Sequence, residues 1–92
     1  MIIRLTDTEI EEEDLYTMVQ SLAEGLCNQA GAPFSEVYTA EERAQGLRLW
    51  AHWAQQEAGD SLRDVMRRAE DLIRIDIKAW KEGIEVIYVQ PG

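Results

Sequence analysis

Ninety-two residues with 46% hydrophobic and 29% charged side chains make one globular domain with a small core (residues 1–92). The formal charge of −9 argues against phosphate backbones and anionic membranes as partners, and a single cysteine excludes an internal disulfide or a thiolate metal cluster built by one chain. Residues 1–42 hold ten acids and only Arg4 as a base, whereas residues 43–92 hold eight of each, so the net charge lies entirely in the first half.

The opening MIIRL is short and β-branched and stops at Thr6-Asp7-Thr8, which predicts a strand over residues 1–6. Thr8 with Glu11 reads as a capping box, and the acids Glu9, Glu11, Glu12, Glu13 and Asp14 suit the positive end of a helix dipole. Leu15, Val19, Leu22 and Leu26 recur at three and four and set the apolar stripe of a helix from about residue 9 to 30. Gly31 is placed as its C-terminal cap and Pro33 blocks continuation. Ile10 falls outside the stripe, so it either staples the entry turn or is exposed. Cys27 lies at the margin of the apolar face, where a lone cysteine is a packing residue.

GAPFSEVY has no period of its own and reads as a connector tied to the core by Phe34, Val37 and Tyr38. A second helix is expected from Thr39 to Ala58, with Thr39 and Glu42 as another capping signature. One stripe of it, Ala40, Ala44, Leu47, Ala51, Ala54 and Ala58, faces the core with Trp50 on the flank. Gly46, Leu49 and Trp53 make a second stripe, either covered by neighbouring helices or left exposed as an aromatic anchor rimmed by Arg48 and His52. Asp60 is expected to cap a third helix, in which Leu62, Val65, Met66, Ala69 and Leu72 keep the helical period.

The remainder, LIRIDIKAWKEGIEVIYVQPG, admits two conformations. As helix, Ile75 would face solvent and Asp76 would lie in the buried stripe, at a cost of several kcal/mol unless the carboxylate finds partners. As strand, Ile73, Ile75 and Ile77 share one face, and Gly83 supplies the left-handed residue of a hairpin loop. The second choice predicts a hairpin of about 72–80 with 84–90. The N-terminal strand then joins as a third strand, because a two-stranded hairpin alone is marginal in water. The expected fold class is α+β, in the order β-α-α-α-β-β, with three helices packed on a small three-stranded antiparallel sheet.

Motifs for chemistry are missing. His52 has no second ligand at helical spacing, no serine or cysteine sits in a Gly-rich or strained setting, and phosphate-binding loops and calcium-loop spacings are absent. The expectation is therefore a protein that is not an enzyme and takes no cofactor or metal. It would be an acidic protein-binding module, an inhibitor or adaptor of the kind mobile elements direct against basic or nucleic-acid-handling complexes. The expected contact residues are Leu49, Trp53, Arg48 and His52 with Glu9, Glu11, Glu12, Glu13 and Asp14, and the expected partner is a basic protein rather than nucleic acid or membrane. A self-associating assembly subunit is the alternative, followed by a small enzyme. Without a membrane-length apolar run or a signal-like start, the expected setting is cytoplasmic.

Overall fold

The computed structural model describes residues 2–41, 43 and 61–84. Its first element is a β-hairpin rather than a single strand. β1 (Ile2–Arg4) pairs antiparallel with β2 (Glu9–Glu11), with Ile3 opposite Ile10, Ile2 opposite Glu11 and Arg4 opposite Glu9. The Leu5 N–H donates to the Thr8 carbonyl at 2.8 Å and closes the loop. Alternation along a strand puts Ile3 and Ile10 on one face and Ile2, Arg4, Glu9 and Glu11 on the other. Ile3 is buried and Ile10 packs beside it against the core, so the hairpin is held by its inner face rather than by its few ladder bonds.

Helix α1 (Glu12–Ala30) therefore begins three residues later than its acids suggest, and Thr8 does not cap it. The Thr8 hydroxyl instead donates to the Glu9 carbonyl at 3.3 Å. The N-terminal signals were real but displaced, because Glu9–Glu11 are held in the sheet by Ile2–Arg4. Of the expected stripe, Leu15, Val19 and Leu26 are buried and Leu22 is partly buried, while Ala23 and Cys27, the latter expected only at the margin, are buried with them. Gly31 adopts the left-handed conformation (φ 68°), with its N–H to Asn28 O at 3.3 Å and the Ala32 N–H to Cys27 O at 3.0 Å, a Schellman termination that also buries Ala32.

The connector forms a short helix, α2 (Phe34–Val37), entered through Pro33. Tyr38 is buried, and Phe34 and Val37 pack partly against the core, with the Phe34 and Tyr38 rings 5.7 Å apart. Helical backbone resumes at Ala40, Glu41 and Arg43, and the Arg43 N–H donates to Thr39 O at 2.9 Å. The rest of the expected second helix, including Leu49 and Trp53, lies outside the described residues.

Helix α3 (Leu62–Glu82) overturns the expected C-terminal hairpin: residues 72–80 are helical throughout. The sheet among the described residues has two strands, β1 and β2, instead of three, and most of the anticipated strand 84–90 lies outside them. Ile75 is 54% exposed and Asp76 is buried, as helical periodicity dictates. What permits it is Tyr38, whose hydroxyl donates to Asp76 Oδ2 across 38 residues of sequence. Gly83 is left-handed (φ 71°) but ends a helix, with the Ile84 N–H on Ala79 O at 2.8 Å, repeating the Schellman pattern of α1.

At its start, α3 is capped by Ser61 rather than Asp60, Ser61 Oγ accepting from the Asp64 N–H at 3.1 Å. Asp7 from the hairpin loop accepts from the Leu62 N–H at 3.0 Å. Two of the unsatisfied amides of the helix are thereby paired, one locally and one by a tertiary contact. Val65, Ala69, Ile73 and Ile77 meet the stripe of α1 in one core with Ile3 and Tyr38. The architecture is thus a small α+β fold in which a two-stranded antiparallel hairpin is followed by mainly helical segments.

Candidate functional site

Among the described residues the charge asymmetry of the sequence becomes a surface. Glu9 and Glu11 project from the outer face of β2, and Glu12, Glu13 and Asp14 occupy the first turn of α1 immediately after. The five carboxylates are not equivalent. Glu12 is partly buried and accepts a hydrogen bond from the Tyr16 hydroxyl one turn on, so it is engaged within its own helix. Glu9 faces Arg4 across the strands, Oε1 to Nε at 3.5 Å, with both side chains largely exposed (62% and 84%). Such a pair contributes at most about 1 kcal/mol and is screened by salt. Glu11, Glu13 and Asp14 are exposed. The predicted acidic residues are thus brought together at the junction of hairpin and helix, where they also complement the α1 dipole. Leu49, Trp53, Arg48 and His52 lie outside the described residues.

A second polar feature is internal. Asp76 is 7% exposed, as is Tyr38, and Cys27 on α1 is 1% exposed. Burial pushes the Cys27 thiol above its ordinary value, and the nearby Asp76 carboxylate adds to the rise. A thiol held neutral in this way is a poor nucleophile, which agrees with a packing role. The Tyr38–Asp76 pair fixes the connector to α3. Sequence spacing does not reveal it, since the partners are far apart and the carboxylate argued against the helix that positions it.

Among the described residues, groups of histidine, cysteine and carboxylate side chains that could hold a metal ion are absent, and no helix is long and apolar enough to cross a membrane. Neither a protein-family model, a curated protein nor a solved structure matches the chain.

Proposed function

We propose that this chain is a non-catalytic protein-binding module, an inhibitor or adaptor acting in the cytoplasm, whose acidic end meets a basic surface of a partner protein. The observation that carries the reading is the exposed set Glu9, Glu11, Glu13 and Asp14 at the start of α1, with Arg4 the only base in the first 42 residues. A predominantly acidic surface of this kind, in which Arg4 offsets only one of the carboxylates, steers an oppositely charged protein into encounter and repels phosphate and anionic lipid. Neutralising the α1 dipole would need only the first-turn acids, whereas Glu9 and Glu11 extend the charge onto the hairpin.

The test is affinity capture from the source cell with the wild-type chain and with Glu9→Lys/Glu11→Lys/Glu13→Lys, followed by association kinetics with the captured protein. The reversed chain should fold, lose the partner, and leave a wild-type association rate that falls at least about tenfold between low and physiological salt. Equal capture by both chains, or a rate indifferent to salt, would remove the acidic end from the function.

A further inference from the structure

Helix α3 concentrates cations on one face. Arg63, Arg67, Arg74, Lys78 and Lys81 follow one another at intervals of 4, 7, 4 and 3 residues, which at about 100° per residue confines them to about 60° of arc. All five are exposed. Arg74 has a carboxylate neighbour, Glu70, at 3.7 Å, while the other four carry no ion pair among the described residues. Helix-dipole compensation accounts for Lys78 and Lys81 near the C-terminus but not for Arg63 and Arg67, which sit in the first two turns where cations are disfavoured.

Toward the C-terminal end this face borders a cleft of about 330 Å³. Leu26 and Ala30 of α1 and Ile77 of α3 supply its apolar lining, while Arg74, Lys78 and Lys81 outnumber the one carboxylate, Glu82, and leave its rim net cationic. A cationic rim over an apolar floor selects an acidic surface that also presents an aliphatic group. The hairpin of the same chain presents one: Ile2 is 53% exposed on its outer face, directly opposite Glu11, and the same face carries Glu9 with its ion-pair partner Arg4. The hairpin leads into α1 at its N-terminus, whereas the cleft is lined by the last turns of α1, about 28 Å away along its 19 residues. One copy therefore cannot fill its own cleft.

We infer that the cleft and cationic face of α3 bind the acidic hairpin of a second copy of this chain, Ile2 seating on Leu26, Ala30 and Ile77 while Glu9 and Glu11 meet Arg74, Lys78 and Lys81. The inference rests on the reading of the acidic end as a docking surface and names a partner for it. The contact is heterologous, head to tail, and builds chains or a closed ring rather than an isologous dimer. Each copy carries −9 overall, but at physiological salt the screening length is about 8 Å. That is far shorter than α1, so the contact is governed by the local opposite charges. A polyphosphate would meet the same cations with nothing to cover the apolar floor.

Light scattering on eluted protein across concentration tests this, using an acidic-end variant, Glu9→Lys/Glu11→Lys, and a neutralised cleft variant, Lys78→Gln/Lys81→Gln, so that the two altered surfaces do not attract each other. All four side chains are exposed, and circular dichroism verifies that each variant folds; Lys78→Ala/Lys81→Ala replaces the cleft variant if it does not. Wild-type mass should climb with concentration above the 10.5 kDa monomer. Each variant alone should weaken association at least tenfold. Mixed, the two should give a one-to-one dimer that grows no further, because one intact cleft meets one intact acidic end. A wild-type chain that stays monomeric at high concentration, oligomers indifferent to both variants, or a mixture that fails to pair would each overturn the inference. So would a monomer that shifts a short DNA or RNA oligonucleotide through Lys78 and Lys81. A monomer whose acidic end still captures another protein would refute self-docking alone and leave the proposed function standing.

Discussion

Replacing Tyr38 with Phe removes one oxygen and keeps the ring that packs on Phe34. The lost group is the donor to Asp76 Oδ2, and both residues are only 7% exposed, so water cannot replace it without opening the core. Hydrogen bonds to charged groups contribute about 1.5–3 kcal/mol, and Asp76 has further interactions in the fold, so the cost is placed near 2 kcal/mol. For a domain of this size, that lowers the melting temperature by roughly 8–16 °C. Asp76→Asn, which keeps an acceptor and removes the buried charge, should cost about half as much, and the double variant should cost less than the sum by about 1 kcal/mol or more. Thermal and urea unfolding of the four proteins measures all of this. A Tyr38→Phe melt within about 2 °C of wild type would mean that Asp76 is satisfied without Tyr38, and the explanation given for a carboxylate on the inner face of α3 would fail.

Ile73→Ala should cost about 2–5 kcal/mol while Ile75→Lys stays within about 0.5 kcal/mol of wild type by urea denaturation, because in α3 one faces the core and the other solvent; in a strand both would be costly. Asp7→Ala and Ser61→Ala should each lose about 0.5–2 kcal/mol in thermal melts, and Asp7→Asn less, since the amide oxygen still accepts from Leu62. The Cys27 thiol ordinarily titrates at 9.0 and is raised in the fold by burial first and Asp76 second, so its contribution to stability is present below that pH and lost as pH rises through the raised value. Cys27→Ala should accordingly lose less stability than wild type between about pH 8 and pH 10 in urea titrations.

Helix α1 and its glycine stop were legible because one stripe and one left-handed position define them without reference to other parts of the chain. Its first turn was not, because a run of acids marks a helix entry and a solvent-facing strand equally well. Ile10, out of step with Leu15 and Val19, was the local sign that the helix starts after it. In α3 the helical periodicity places both Ile75 and Asp76 correctly, and the cost of the buried carboxylate, which favours a strand in the sequence, is met by a partner. Its partner, Tyr38, belongs to a connector whose position no local rule supplies. Gly83 did not arbitrate, since hairpin loops and helix ends both call for a left-handed residue. The acidic end can be read from composition, whereas a strand over residues 72–80 hides the cationic face of α3, because it splits Arg74 and Lys78 from Lys81.

The core is assembled from two stripes made at different times. Residues 31–61 separate the end of α1 from the start of α3, and at about 5–20 residues per second a ribosome needs on the order of seconds to add them. Throughout that interval Leu15, Val19 and Leu26 have no α3 to cover them, and the hairpin waits for the helix end that Asp7 will hold. Folding of this chain is therefore deferred until α3 emerges, and a nascent chain stalled before Leu62 would offer its sticky face to chaperones and to other nascent copies.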